Sequence, residues 1–268
     1  MAIRIKTDEE IKILSECGKR LGKILIKVKD AALPGVSTLD LNRAAEKLMY
    51  DAGGIPVFKG YALPDARPFP AAICTSVNDE VVHGIPRADV LLEEGDILGI
   101  DIGMAWPRKE TPEYAGYHGA PLITDTALTV GVGAISEDAA RLIRDTEQAL
   151  FAGIEEIKIG KRIGDISARI EAFLRSRGLG IVRGLAGHGV GYEIHEDPII
   201  PNYGVKGTGA VIREGMVIAI EPMATLGKEE TYLDTDGWTF RTKDRSLAAH
   251  FEHTIAVGAD GASIITVV

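Results

Sequence analysis

The chain repeats itself once, and a repeat of half its length dictates symmetry before any element is assigned. Gly35, Asp40, Leu41, Glu46, Leu48 and Gly53 recur as Gly160, Asp165, Ile166, Glu171, Phe173 and Gly178, each 125 residues later. His83 and Pro86 recur as His195 and Pro198 at an offset of 112. The run EEGDILGID, ending at Asp101, recurs as REGMVIAIE, ending at Glu221, at an offset of 120. DTALTVG from Asp125 recurs as EHTIAVG from Glu252 at an offset of 127. Four matches in one order, with offsets differing only by loop-sized amounts, divide the chain into related halves, about 1–134 and 135–268. No Pro/Ser-rich linker or low-complexity tract separates them, so residues 1–268 are expected to form one domain.

Each half reads as helix, helix, strands. Thr7 and Glu10 form a capping box, and Ile11, Leu14, Leu21, Leu25 and Val28 follow at helical spacing until Pro34-Gly35. A second helix is expected from Ser37 or Thr38 to Gly53-Gly54. Extended runs at 72–77, 81–85, 97–102 and 126–130 follow, then helices at 136–157 and about 164–177. The expected architecture is α+β: one curved, mostly antiparallel sheet, helices on its outer face, and a site on the other face between the halves. Residues 104–123 read as a long hairpin. Trp106, Tyr114, Tyr117 and three prolines should order it, and it is expected to border the cleft.

The repeat aligns acidic residues inside apolar strands. Asp101 lies in ILGIDIG and Glu221 in MVIAIEPM, while Asp125 and Glu252 head equivalent apolar runs. A buried carboxylate without a partner costs several kcal/mol or takes up a proton. Packing two halves about a pseudo-twofold axis gathers all four carboxylates, which repel unless cations neutralise them. Two divalent ions supply +4 against −4, and an oxygen-rich ligand set suits Mn, Fe, Co or Zn. His188, in GHGVG, has no histidine counterpart in the first half, where Ser76 stands, and can serve as the single nitrogen ligand. His83 and His195 occur one per half and are expected to flank the metals as acid/base or substrate-binding groups. His250 shares strand parity with Glu252 and can lie behind the ligands; His253 has the opposite parity. The surface reading is favoured for His118, His250 and His253.

Composition narrows the setting. A net charge of −9 argues against a non-specific nucleic-acid or anionic-membrane binder. Cys17 and Cys74 alone provide no disulfide framework or cysteine zinc module, which fits a reducing compartment. The start MAIRIKTDEE has no apolar signal region, and no apolar run reaches a membrane span, so a cytoplasmic location is expected.

These residues resemble a known family. VNDEVVHGIP (77–86), ILGIDIG (97–103), TDTALTVG (124–131), GHGVGYEIHEDP (187–198), AIEPM (219–223) and HFEHT (250–254) together resemble the type I methionine aminopeptidases of bacterial kind, in the pita-bread metallopeptidase superfamily. The resemblance covers nearly the whole chain and implies one catalytic pita-bread domain. Its implied metal ligands are Asp101, Asp125, His188, Glu221 and Glu252, with Asp125 and Glu252 bridging two divalent ions. Asp101 would chelate one ion, and His188 and Glu221 would bind the other. It implies removal of an N-terminal methionine from nascent polypeptides by a hydroxide bridging the ions, with Glu221 relaying the proton. His195 would bond the carbonyl oxygen and His83 would bind near the scissile nitrogen. Phe58, Tyr61, Cys74, Ile194 and Trp238 match positions lining the methionine pocket. The resemblance implies a monomer in transient contact with the ribosome. The chain departs from the family in the 24-residue separation of its two aspartates, in Thr124 before Asp125, and in Phe58 and Ile194. Two alternatives remain. Proline-specific aminopeptidases and dipeptidases of the superfamily carry a large extra N-terminal domain, whereas the first helix here opens at residue 7. Non-enzymatic peptide-binding modules of this fold have lost ligands, whereas all five and both flanking histidines are present here.

Overall fold

The computed structural model describes residues 2–62, 67–116 and 119–267. Helices α1 (Asp8–Asp30) and α2 (Thr38–Asp51) precede strands β1 (Ile55–Pro56), β2 (Ile73–Val77), β3 (Glu80–Val82), β4 (Ile97–Trp106) and β5 (Leu122–Gly131). Helices α3 (Glu137–Ile154) and α4 (Ile163–Ser176) then precede β6 (Gly180–Ile181), β7 (Ala186–Gly189), β8 (Glu196–Pro201), β9 (Val217–Ile220) and β10 (Met223–Thr225). The chain ends with β11 (Thr231–Leu233), β12 (Phe240–Thr242), β13 (Ala248–His250), β14 (Glu252–Gly258) and β15 (Gly261–Ile264). Among the described residues no helix is long and apolar enough to cross a membrane.

The repeat is visible in hydrogen bonds as well as in element order. Thr7 caps α1 with the full reciprocal box, satisfying donors that the first turn leaves free. Gly35 and Gly160 share a φ of 88° and donate to Leu92 and Ile212 at 2.7 and 3.0 Å. Leu92 and Ile212 donate back to Val36 and Lys161 at 2.9 and 2.8 Å. Isolated bridges Ser37–Leu91 and Arg162–Val211 repeat the same contact. The main sheet runs β1-β4-β5-β14-β9-β7-β8, with β2 also on β4 and β15 also on β14, all antiparallel. The pseudo-twofold axis therefore passes between β5 and β14, with β4 and β9 as equivalent flanks.

Strand alternation sorts the faces. Along β4, Leu98, Ile100 and Ile102 are fully buried against α1 and α2 in one core. Gly99, Asp101 and Gly103 point the other way. A second core, including Ile218, Ile220, Ile255 and Val257, packs beneath α3 and α4. The junction of the halves has only two paired positions, Glu252–Ala127 and His253–Thr126. Threonine hydroxyls complete it. Thr254 Oγ1 donates to the Asp125 carbonyl (2.7 Å), Thr126 Oγ1 to the Glu252 carbonyl (2.8 Å) and Thr129 Oγ1 to the His250 carbonyl (2.9 Å).

β4 and β5 are longer than the sequence pattern indicated, because they pair continuously from Ile97–Gly131 to Trp106–Leu122. Asp125 therefore sits inside β5 rather than at its head. The expectation that residues 104–123 border the cleft is corrected for the described part. Arg108 N–H donates to the Gly53 carbonyl (2.8 Å), Arg20 stacks over Trp106 and reaches Glu113, and Tyr114 packs near Leu14 and Val190. The hairpin folds back over α1 and the end of α2, and none of its described residues lines the cavity described below. Its apolar anchors find their nearest cover on the helical face. Tyr117 and His118 lie outside the described residues.

Candidate metal centre

The four carboxylates and His188 converge on the face of the sheet away from the helices. Register carries three of them there. Asp101 and Glu252 both pair with Ala127 from opposite sides of β5, and Asp125 pairs with Gly103. Ligand atoms of Asp125, His188 and Glu252 all lie within 4.8 Å of one another. His188 Nε2 is 3.9 Å from Asp125 Oδ2 and 3.4 Å from Glu221 Oε1. Asp101 interacts with Asp125 and with the Cys74 thiol, its partner across β2.

Glycines bring His188 into place. A Cβ on Gly187 would lie 2.5 Å from the Ala219 carbonyl oxygen, and one on Gly189 would lie 2.3 Å from that of Asp197. Only bare backbone lets β7 fit between β8 and β9. The Nδ1–H of His188 donates to the Gly189 carbonyl at 2.9 Å, which leaves the Nε2 lone pair facing the carboxylates.

The donor set fits divalent ions. Asp101 Oδ1, Asp125 Oδ1 and Glu252 Oε1 are buried with no hydrogen-bond partner. Orphaned carboxylate oxygens aimed at one another are a costly arrangement that cations relieve. Burial, together with the neighbouring anions, pushes Asp125 and Glu252 well above the usual carboxylate range and Asp101 up to about 7. Glu221 goes the other way. Burial raises it, but His250, with Nε2 3.6 Å from Glu221 Oε2, and His188 together bring it below its ordinary value. The position expected for His250 from strand parity is thus realised, and its surface reading, like that of the half-buried His253, is corrected: His250 is buried.

Ion binding must displace protons from Asp101, Asp125 and Glu252. The melting-temperature rise produced by a fixed Mn²⁺ concentration is therefore expected to grow from pH 5 to pH 8, through the Asp101 value near 7. Without ions, these raised carboxylates favour the folded state at low pH and lose that contribution as pH rises through about 7. Thermal melts with and without Mn²⁺ across this range check it; a constant or shrinking increment contradicts the assignment.

Above the cluster opens a cavity of about 470 Å³. Its walls include Phe58, Tyr61, Phe69, Cys74 and Trp238, with His83 and His195 at opposite sides of the sequence repeat. Phe69 and Tyr61 meet the Trp238 ring at 5.4 and 6.4 Å, and Trp238 Nε1–H donates to the Arg67 carbonyl at 2.9 Å. His83 adopts a left-handed φ of 59°, which ends β3 earlier than its apolar run suggests, and its ring packs edge-on to Trp238 and Phe240. Burial pushes the His83 imidazole down to about 4, so it is neutral at neutral pH. His195 is exposed, sits edge-on to His188 at 4.5 Å, and shares a 2.8 Å hydrogen bond between its Nδ1 and the Tyr61 hydroxyl. Of the pocket positions named from the sequence, Phe58, Tyr61, Cys74 and Trp238 line the cavity, whereas Ile194 is buried off its wall. The threonines of the β5–β14 junction and the ion pairs of Glu80 and Glu196 were not singled out in the sequence. Thr126 aligns with His253 and Thr254 with Ala127, so the repeat carried no signal for the threonines.

The profile of metallopeptidase family M24 matches residues 12–259. A methionine aminopeptidase of Clostridium acetobutylicum is 44% identical over 264 residues, covering 98% of each chain. The crystal structure of methionine aminopeptidase from Thermotoga maritima superposes with a TM-score of 0.90 at 39% identity, covering 100% of both chains. A prolidase from Pyrococcus furiosus shares the fold alone, with a TM-score of 0.75 at 22% identity over 65% of its own chain. With relatives of this identity over its full length, the chain belongs to metallopeptidase family M24, in its methionine aminopeptidase branch.

Proposed function

We propose that this chain hydrolyses the N-terminal methionine from nascent proteins and peptides, as a single catalytic domain using two divalent ions. The observation that carries the reading is the set of orphaned carboxylate oxygens at the floor of an aromatic-walled cavity flanked by two histidines. Asp101, Asp125, His188, Glu221 and Glu252 would hold the ions. When bound, such ions lower the pKa of water and polarise a carbonyl.

A free, neutral α-amine of the substrate would be held by the bound ions through its nitrogen lone pair, which confines cleavage to N-termini. The chain's own groups do the rest. Phe58, Tyr61, Cys74 and Trp238 enclose an unbranched apolar side chain, and Phe69 backs Trp238. Glu221, kept ionised by its histidine neighbours, accepts a proton on a carboxylate oxygen. The Tyr61 hydroxyl, donating to His195 Nδ1, leaves Nε2–H to stabilise the carbonyl oxygen as charge grows there. Neutral His83 binds near the scissile nitrogen. Oxygen and imidazole donors suit Mn, Fe, Co or Zn. We place the chain in the cytoplasm as a monomer in transient contact with the ribosome. Lys12, Lys19, Lys23 and Lys27 form an exposed row on α1 that offers a basic surface on a chain of net charge −9.

Cleavage of Met-Ala-Ser and Ala-Pro peptides with added Mn²⁺, Fe²⁺, Co²⁺ or Zn²⁺ tests the reading. Met-Ala-Ser should be cut at the first bond and the Ala-Pro peptide left intact; the reverse preference would overturn it.

A further inference from the structure

Each cavity histidine has a paired carboxylate close by in sequence, and the one beside His195 closes the turn that bears it. In the second half, Glu196 Oε1 accepts from the Tyr192 and Glu193 amides at 2.6 and 3.0 Å, closing the turn that bears His195. Its Oε2 lies 2.7 Å from Lys6 Nζ, and both side chains are nearly inaccessible, at 1% and 3% exposure. In the first half, Glu80 Oε2 accepts from the Val77 amide at 2.8 Å, closing the β2–β3 turn ahead of the strand that leads to His83, and its Oε1 meets Arg241 Nη2 at 2.5 Å. Arg241 also pairs with Asp79 and Asp234. Each turn therefore rests on a carboxylate whose cation comes from a distant part of the chain. One cation comes from the N-terminal segment and the other from β12.

The Lys6 side is built in detail. Lys6 N–H donates to the Gly215 carbonyl at 2.8 Å, anchoring the segment at the entry to β9. Gly191 has φ 140°, and a Cβ there would lie 2.5 Å from Lys6 Cε. The glycine thus leaves the channel through which the lysine reaches Glu196. The Gly191 carbonyl in turn accepts from Ile123, two residues before Asp125. A buried ion pair is a weak source of stability, since apolar replacements of equal volume are often as stable or more so; its better-attested use is to fix one arrangement over others.

We propose that Lys6 is a positioning residue: through Glu196 it fixes the 192–196 turn so that His195 meets the substrate carbonyl. The proposal rests on the reading of His195 as a substrate-contacting group.

The test is a mutant cycle on the Mn²⁺-loaded protein with a methionyl tripeptide: Lys6→Met, His195→Ala and both together. Lys6→Met should lower kcat about tenfold with KM within about twofold, the scale of a small misplacement of one group. In the His195→Ala background the same change should alter kcat less than about twofold, because no ring remains to be placed. Amide exchange at Tyr192 and Glu193 should quicken about tenfold in Lys6→Met, with ion content unchanged. Equal falls in kcat in both backgrounds, or unchanged exchange at those amides, would overturn the proposal. If Lys6→Met does not fold, Lys6→Met/Glu196→Gln, which leaves no buried charge unpaired, carries the same cycle. A wild-type protein without methionyl activity, or His195→Ala as active as wild type, refutes the functional reading instead, while the exchange rates still report on the clasp.

Discussion

Glu252→Ala is expected to abolish ion binding and turnover together, while removing the cost that ionising this carboxyl imposes on the ion-free protein at high pH. Glu252 is 2% exposed and holds one carboxylate oxygen without any hydrogen-bond partner. It shares a 4.8 Å cluster with Asp125 and His188. Burial and the adjacent Asp125, Glu221 and Asp101 all work against its ionised form. In the ion-free state the carboxyl stays protonated until pH exceeds its raised range; above that its ionisation is destabilising, and deleting the group relieves that cost. In the ion-bound state the same carboxylate compensates cation charge that no neighbouring group can cover. At a hundred times its Kd an ion stabilises the wild-type protein by about 2.7 kcal/mol; the variant should gain nothing at that concentration. Glu252→Gln preserves shape and removes charge, so its agreement with the alanine variant excludes a cavity effect. Calorimetric titration, paired thermal melts and peptide turnover check the three parts. A variant that binds ions with unchanged stoichiometry and affinity would remove Glu252 from the centre. Asp125→Ala should behave alike, because its Oδ1 is orphaned in the same way and it faces the same His188 nitrogen.

Much of this geometry was legible because the repeat constrains partners that lie far apart in sequence. Matching ILGIDIG to MVIAIEPM and Asp125 to Glu252 places four acids at equivalent points of two halves, and any symmetric packing then brings them together. Alternation along β4 tells which face each takes: Leu98, Ile100 and Ile102 go to the helices, leaving Gly99, Asp101 and Gly103 for the site. Local periodicity fails where a contact joins unlike segments. Nothing around Lys6 indicates that it meets a carboxylate 190 positions away, and nothing around Arg241 indicates Glu80. The hairpin at 104–123 was misplaced for a related reason. Its strand ends pass close to the aspartates, but Trp106 and Tyr114 find apolar cover only beside α1, so the excursion turns outward. β3 stops early at His83 because a left-handed residue cannot extend a ladder, and the apolar run through Ile85 carries no trace of that.

His195→Ala should retain the ions and lose roughly 10²–10³ in kcat, the scale for one hydrogen-bond donor to a developing oxyanion. His195 lies beside the carboxylate–His188 cluster rather than within it: its ring is edge-on to His188 at 4.5 Å, and its Nδ1 is engaged by the Tyr61 hydroxyl. Removing it therefore takes no donor from the carboxylate cluster, and ion affinity should stay within a few-fold of wild type. A donor that acts mainly as charge forms on the carbonyl oxygen changes kcat and kcat/KM together and leaves KM nearly constant. Tyr61→Phe provides a graded companion. It leaves the ring in place but removes the hydroxyl that fixes its tautomer, so its loss should be smaller than that of His195→Ala. The two changes combined should cost little more than His195→Ala alone, since Tyr61 acts on the carbonyl only through that ring. Loss of ions together with activity in His195→Ala would instead make the imidazole part of the metal centre, and the division between ligands on the floor and histidines on the wall would fall.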